Sequence, residues 1–260
     1  MESAVEGFHG ADLLLSGPRM LRSLRFSLRV AGVLLIALPA LRLHMAFSRR
    51  DRTNELLRVW ARRVVRWAGC PLTVDGLERL PRQATLIVAN HSSALDSVIL
   101  LAAMPGDVRF VANHMAATRP LVGRAIRNGG HLVVNRGSAE SRARCARAMI
   151  GMLQAGTSLI VFPEGTRSTA LLLPLQAGPF RVAAAAGCPV TPVAITGTRT
   201  VLPRRFRLLQ PAAITVTVLA PIVRDGTAED RATELRDRTA RALSEALAGA
   251  PRPVPPASVR

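Results

Sequence analysis

The 260-residue sequence contains no tyrosine and no lysine, so all 35 of its basic residues are arginine. Aromatic residues make up only 3%. Proteins that stack nucleic-acid bases need aromatic platforms, and their scarcity argues against that class. Cysteine is scarce too. Cys70, Cys145 and Cys188 are odd in number, far apart and form no C-x-x-C pair. That spacing suggests neither a disulfide framework nor a zinc site, so no metal is expected. Each thiol is expected to pack as a small apolar group in a reduced compartment. Acidic residues number 17, which leaves a formal net charge of +18. Genomic bias explains arginine in place of lysine, but not the surplus over acids. A surplus of that size calls for an anionic partner, either nucleic acid or an anionic membrane surface. The arginines are dispersed and no nucleic-acid-binding motif occurs. The membrane is the better reading.

A long hydrophobic run is also missing. The stretch "VAGVLLIALPAL" (Val30 to Leu41) falls short of the roughly 20 residues a spanning helix needs, and Pro39 interrupts it. It lies too far from the start, and is followed by too basic a stretch, to resemble a signal peptide. Arg22, Arg25 and Arg29 precede it; Arg42, Arg49, Arg50 and Arg52 follow. These features predict an interfacial or half-inserted helix among anionic lipids, with one spanning helix as the alternative. In the next stretch, "NELLRVWARRVVRWAG", Leu56, Leu57, Trp60, Val64 and Trp67 share a helical face, with Arg58, Arg62, Arg63 and Arg66 around the rest. Tryptophan suits the water–lipid boundary. A helix packed on the main domain is the competing reading.

From Cys70 the pattern changes to short β-branched runs alternating with alanine-rich stretches. Candidate strands are "LTVDG", "ATLIVAN", "VRFVAN", "HLVVNR", "TSLIVF", "PVTPVAIT" and "ITVTVLAPIV". Candidate helices include Ala94 to Met104, Ala139 to Gln154, Phe180 to Ala186 and Glu229 to Ala248. The alternation predicts an α/β fold with a central, largely buried mixed β-sheet flanked by helices. The expected organisation is an N-terminal tail over 1–19, membrane-associating helices over 20–69, the α/β domain over 70–250, and a disordered Pro-rich tail over 251–260.

"VANH" occurs twice, at Val88–His91 and Val111–His114. The first copy continues as "SSALDS", which puts Asp96 in the first turn of the following helix. A chain reversal there can bring its carboxylate to one nitrogen of His91, leaving the other nitrogen to take a proton. In the second copy the matching position is Arg119, which opposes protonation of the ring. His91 is therefore the candidate base, and His114 is expected to be a partly exposed loop residue. Ser93-Ala94-Leu95-Asp96 also fits a helix capping box, a purely structural role that does not exclude the first. "SLIVFPEGTRS" and "GGHLVVNRGS" are further strands whose ends deliver Glu164, Gly165, Thr166, Arg167 and Arg136. Ligands of open α/β sheets collect at that edge.

"NHSSALD", followed in order by "GGHLVVNR", "VFPEGTRS" and "PVTPVAITG", resembles the glycerolipid acyltransferase family, whose best-known members are the lysophosphatidic acid acyltransferases. The resemblance spans Asn90 to Gly197. It implies His91 as general base with Asp96 orienting it. It also implies acceptor and phosphate binding by Arg136, Glu164, Gly165, Thr166 and Arg167. The block around Pro192 would serve the acyl donor or the scaffold. The implied reaction moves an acyl group from acyl-CoA or acyl carrier protein to the free hydroxyl of lysophosphatidic acid. The product is phosphatidic acid, a step of phospholipid biosynthesis. No cofactor is implied, because the thioester is already activated. The implied partners are anionic membrane lipids, the lysophospholipid acceptor and the acyl carrier, with no nucleic acid. The implied location is the cytoplasmic face of the inner membrane. Asn113, Gln176 and Ala177 depart from the family's basic positions, which opens the acceptor to another lyso-lipid, such as a lyso-ornithine lipid.

Overall fold

The computed structural model describes residues 17–47, 52–203, 209–223 and 228–250. The proline-rich tail over 251–260 lies outside the described residues, as does most of the N-terminal tail. Among the described residues the strands are β1 (Leu72–Asp75), β2 (Leu86–Ala89), β3 (Val108–Asn113), β4 (Leu132–Val134), β5 (Ser158–Val161), β6 (Val190–Thr196) and β7 (Ile214–Val218). They form one sheet in the order β1-β7-β6-β2-β5-β3-β4. Every pairing is parallel except β6 with β7, so the sheet is mixed, as its sequence pattern predicts. The parallel block β6-β2-β5-β3-β4 sends all its carboxyl ends to one edge. That edge carries the site.

The helices are α1 (Gly17–Phe47), α2 (Thr53–Ala68), α3 (Asp96–Ala103), α4 (His114–Ala117), α5 (Pro120–Asn128), α6 (Ala139–Gln154), α7 (Ala177–Ala186), α8 (Thr198–Val201) and α9 (Ala228–Gly249). Helices cover both faces of the sheet, which is why β2 reads as a continuous apolar run. Leu86 and Val88 point into a cluster with Met149, Phe180 and Leu243, from α6, α7 and α9. Ile87 and Ala89 point the other way, into a cluster with Ile99, Leu100, Ala61 and Val65, from α3 and α2.

Two expectations for the N-terminal zone need correction. First, Pro39 does not interrupt the helix. α1 is continuous over 31 residues, and Met20–Phe47 is long and apolar enough to cross a membrane. Proline removes one N–H and crowds the preceding turn, and the helix carries on through it. Leu28, Leu35, Ile36, Leu43 and Phe47 are 63–84% exposed along it. Second, the apolar face of α2 is turned into the protein. Leu56, Leu57, Trp60 and Val65 are buried, whereas Trp67 stays exposed. Arg58 donates to the carbonyls of Met104 (2.8 Å) and Gly106 (2.6 Å), and Arg62 to that of Ala102 (2.9 Å). These arginines cap the carbonyl end of α3, where unpaired C=O groups and the helix dipole favour a cation. They hold the helix that carries Asp96, rather than lipid headgroups.

Candidate active site

β2 ends at Ala89, and the chain takes six residues to reach α3. Asn90 starts that turn with a buried amide that donates to Ile195 O (2.9 Å) and accepts from Ile195 N (2.7 Å). This pair of bonds knits the turn to β6. The backbone of His91 is gripped from the opposite side. Its N–H donates to Glu164 Oε1 (2.6 Å), and its carbonyl accepts from Ser168 N (3.1 Å). Its ring stacks on Phe162 with centroids 4.2 Å apart.

Asp96 is fully buried, and its carboxylate is saturated. Oδ2 accepts from His91 Nδ1, Ser92 N and Ser93 N, each at 2.8 Å, while Oδ1 accepts from the Thr198 hydroxyl at 2.6 Å. The capping box is half present. Asp96 receives the Ser93 amide, but α3 begins at Asp96 itself and Leu95 precedes it without a side-chain cap. The carboxylate thus serves the turn and the imidazole together. With Nδ1–H given to Asp96, Nε2 is the nitrogen left to exchange a proton. The His91 side chain keeps 20% of its surface exposed.

Glu164 turns inward. Its carboxylate accepts from the amides of His91 and Leu173 (2.9 Å) and is 6% exposed. Burial raises its pKa above the usual carboxylate value, against the pull of those two bonds. It fastens the β5 turn to the His91 turn rather than facing solvent. Gly165 takes φ +76°, the left-handed region that glycine enters without strain. Its carbonyl accepts from the Arg136 guanidinium. Thr166 and Arg167 are exposed at the tip of the same turn. The predicted residues therefore assemble at the ends of β2, β4 and β5. Phe162 and Thr198 were not foreseen. Thr198 follows β6, which also ends at this edge, and that was the available signal.

The second histidine is placed differently. His114 is the first residue of α4, not a loop residue, and its Nδ1 has no hydrogen-bond partner among the described residues. Asn113 accepts from Met115 N (3.1 Å) and caps α4.

A cavity of about 980 Å³ lies between α6 and α7 and reaches the ends of β4 and β5. Its walls are mostly apolar, including Val134, Met149, Ile150 and Val182, and Phe162 separates it from the His91 ring. Among the described residues, three arginines, Arg136, Arg142 and Arg181, line it, and no carboxylate does. Such a space suits an apolar chain that ends in an anionic group. Among the described residues, no cluster of His, Cys, Asp or Glu could hold a metal ion.

Residues 71–196, just under half of the chain, match the family model named Acyltransferase. Its sequence is 29% identical over 204 residues to a 1-acyl-sn-glycerol-3-phosphate acyltransferase of Cocos nucifera, covering 76% of this chain and 63% of that protein. A chloroplastic protein of the same name from Brassica napus is 33% identical over 133 residues, covering 50% of this chain and 38% of that one. The chain thus spans less than two thirds of either relative. The crystal structure of the 1-acyl-sn-glycerophosphate (LPA) acyltransferase PlsC from Thermotoga maritima superposes with a TM-score of 0.72 at 23% identity. That match covers 90% of this chain and all of that one, and it establishes a shared fold.

Proposed function

We propose that this protein transfers an acyl group from acyl-CoA or acyl carrier protein to the free hydroxyl of lysophosphatidic acid, giving phosphatidic acid for phospholipid biosynthesis. The observation that carries the reading is the His91–Asp96 bond beside a large apolar cavity rimmed by arginine. A lipid alcohol is a poor nucleophile until its proton is removed. His91 Nε2 takes that proton while the oxygen attacks the thioester carbonyl. The tetrahedral adduct then collapses, the C–S bond breaks, and the thiolate recovers the proton from Nε2. Asp96 stays ionised throughout, fixes the tautomer and stabilises the imidazolium. General-base help of this kind is worth about 10²–10⁴-fold. Phe162 shields one face of the ring from water. Arg136, with Gly165, Thr166 and Arg167 on the facing turn, receives the acceptor phosphate, and Glu164 holds that turn in place.

In this reading α1 anchors the chain at the cytoplasmic face of the inner membrane, where acceptor and product reside. Arginines near an anionic leaflet add on the order of 1 kcal/mol each. A second reading keeps the chemistry and changes the acceptor to another lyso-lipid. It is favoured by Asn113 acting as a helix cap and by Gln176 preceding α7, since neither supplies a cation. Purified protein assayed with a panel of lyso-lipids and both donor types separates the two. Lysophosphatidic acid should be acylated fastest; if it is ignored while another lyso-lipid is used, the first reading is wrong.

A further inference from the structure

We propose that Thr198 is a positioning residue for the base, a third member of the His91–Asp96 pair that fixes the plane of the carboxylate. This rests on the reading of His91 as the proton acceptor. Thr198 and Asp96 are both fully buried, and the Thr198 Oγ1 lies 2.6 Å from Asp96 Oδ1 and 3.2 Å from Ser92 Oγ. An ionised carboxylate only accepts, and a threonine hydroxyl has one proton to give. The direction of the chain is therefore set. Ser92 donates to Thr198, and Thr198 donates to Asp96.

The two carboxylate oxygens are loaded unequally. Oδ2 receives His91 Nδ1 and two backbone amides, while Oδ1 is held by Thr198. The terminal torsion of an aspartate is soft and close to two-fold. Without a donor on Oδ1 the carboxylate can rotate to share the amides of Ser92 and Ser93 between both oxygens. The bond to Nδ1 would then lengthen. Thr198 opposes that rotation.

Its placement is built into the fold rather than the local sequence. Gly197 turns the chain off β6 with φ +85°, and a Cβ there would lie 2.0 Å from the carbonyl oxygen of Ala213. Only glycine makes that turn, and it delivers Thr198 as the first residue of α8, 102 positions from Asp96. The next residue, Arg199, donates to the carbonyl of Thr169 in the loop after Glu164–Ser168. The Gly197 turn therefore braces both the base and the neighbouring turn. Thr198 lies two positions beyond the segment that matches the family model.

The test uses Thr198→Val, which keeps the shape and removes the donor, and Thr198→Ser, which keeps the donor, in the full chain. A buried acceptor left unpaired costs enough to lower kcat about 10–100-fold in the Val variant. KM for acceptor and donor should stay within about twofold, and the Ser variant within about threefold of the parent, because the contact acts on the chemical step. In proton NMR of histidine-labelled protein, the downfield Nδ1–H resonance assigned by its loss in His91→Gln should persist in the Ser variant. It should move upfield or vanish in the Val variant. In an Asp96→Asn background Thr198→Val should cost nothing further. Should the Val variant not fold, Thr198→Cys keeps the volume with a weaker donor, and its kcat should fall about tenfold below that of the Ser variant. Parent-like kcat in the Val variant, equal loss in the Val and Ser variants, full additivity with Asp96→Asn, or parity of the Cys and Ser variants overturns the role of Thr198. Activity surviving in His91→Ala would instead remove the base itself.

Discussion

The same four residues, Val-Ala-Asn-His, close two strands of one sheet and are put to different uses. β2 and β3 run in the same direction with β5 between them, so His91 and His114 leave the sheet at the same edge. The strand ends do not distinguish them. The turn that follows does. After β2 the chain spends six residues before α3, long enough to double back and bring Asp96 to the imidazole. After β3 the helix starts at once, and the fifth residue past His114 is Arg119. The asparagines diverge in the same way. Asn90 reaches across to β6, whereas Asn113 serves its own helix. Identical local sequence acquires different partners because the turns and strands around the two copies differ.

The widest separation between the copies should appear in activity. His91→Ala is expected to lower kcat by about 10²–10⁴-fold, roughly 3–5 kcal/mol of transition-state stabilisation. His114→Ala should stay within about twofold, as expected of a residue outside the reacting centre. Steady-state kinetics on both variants, with circular dichroism to check folding, decides the matter. Comparable losses in the two would erase the distinction.

A smaller gap should appear in stability. Asn90→Ala leaves the buried N–H and C=O of Ile195 without partners, and each such group costs about 1–3 kcal/mol, so a loss of about 3 kcal/mol is expected. Asn113→Ala removes one helix cap, worth about 1 kcal/mol. Urea midpoints compared at constant m-value measure the difference. A larger loss at Asn113 would reverse the account of the two turns.

Much of this was legible in the sequence, for reasons that can be named. The strands show as β-branched runs of two kinds: β2, buried on both faces, is a continuous apolar run, whereas β1 and β7 alternate between more and less buried positions, with polar residues at the less buried ones. His91 and Asp96 show because a single short strand-to-helix turn separates them in the chain. Helix α5 carried a signal that was not used, with Pro120 at its first position and Gly129 just past its end. Other features were hidden by distance along the chain. Arg58 and Arg62 read as a lipid-facing fringe because the carbonyls they cap lie more than 40 residues away or close to it. Thr198 was invisible for the same reason. The cavity combines walls from several elements, so no single segment announces it. Pro39 misled because proline's cost to a helix is finite, and α1 has enough length on either side to absorb it.

A third imidazole sharpens the comparison, since it lies half-buried at the same sheet with no carboxylate bonded to it among the described residues. His131 precedes β4, and its Nδ1 accepts from Phe110 N at 3.2 Å. Burial, helped by nearby Arg109 and opposed by Asp107, pushes it from 6.5 down to about 4. The folded protein therefore holds this ring neutral where the unfolded chain would already be protonated. The unfolded state binds the extra proton between about pH 6.5 and 4, so stability falls as pH is lowered through that window and is fully present above it. The full shift corresponds to at most about 3 kcal/mol, and solvent screening of a partly exposed ring should leave about 1–2 kcal/mol. Thermal or urea unfolding followed from pH 7 to pH 4 should show this decline in the parent. It should be shallower in His131→Gln, which cannot titrate. Parallel pH profiles for the two proteins would mean that His131 takes up its proton as readily in the fold as outside it.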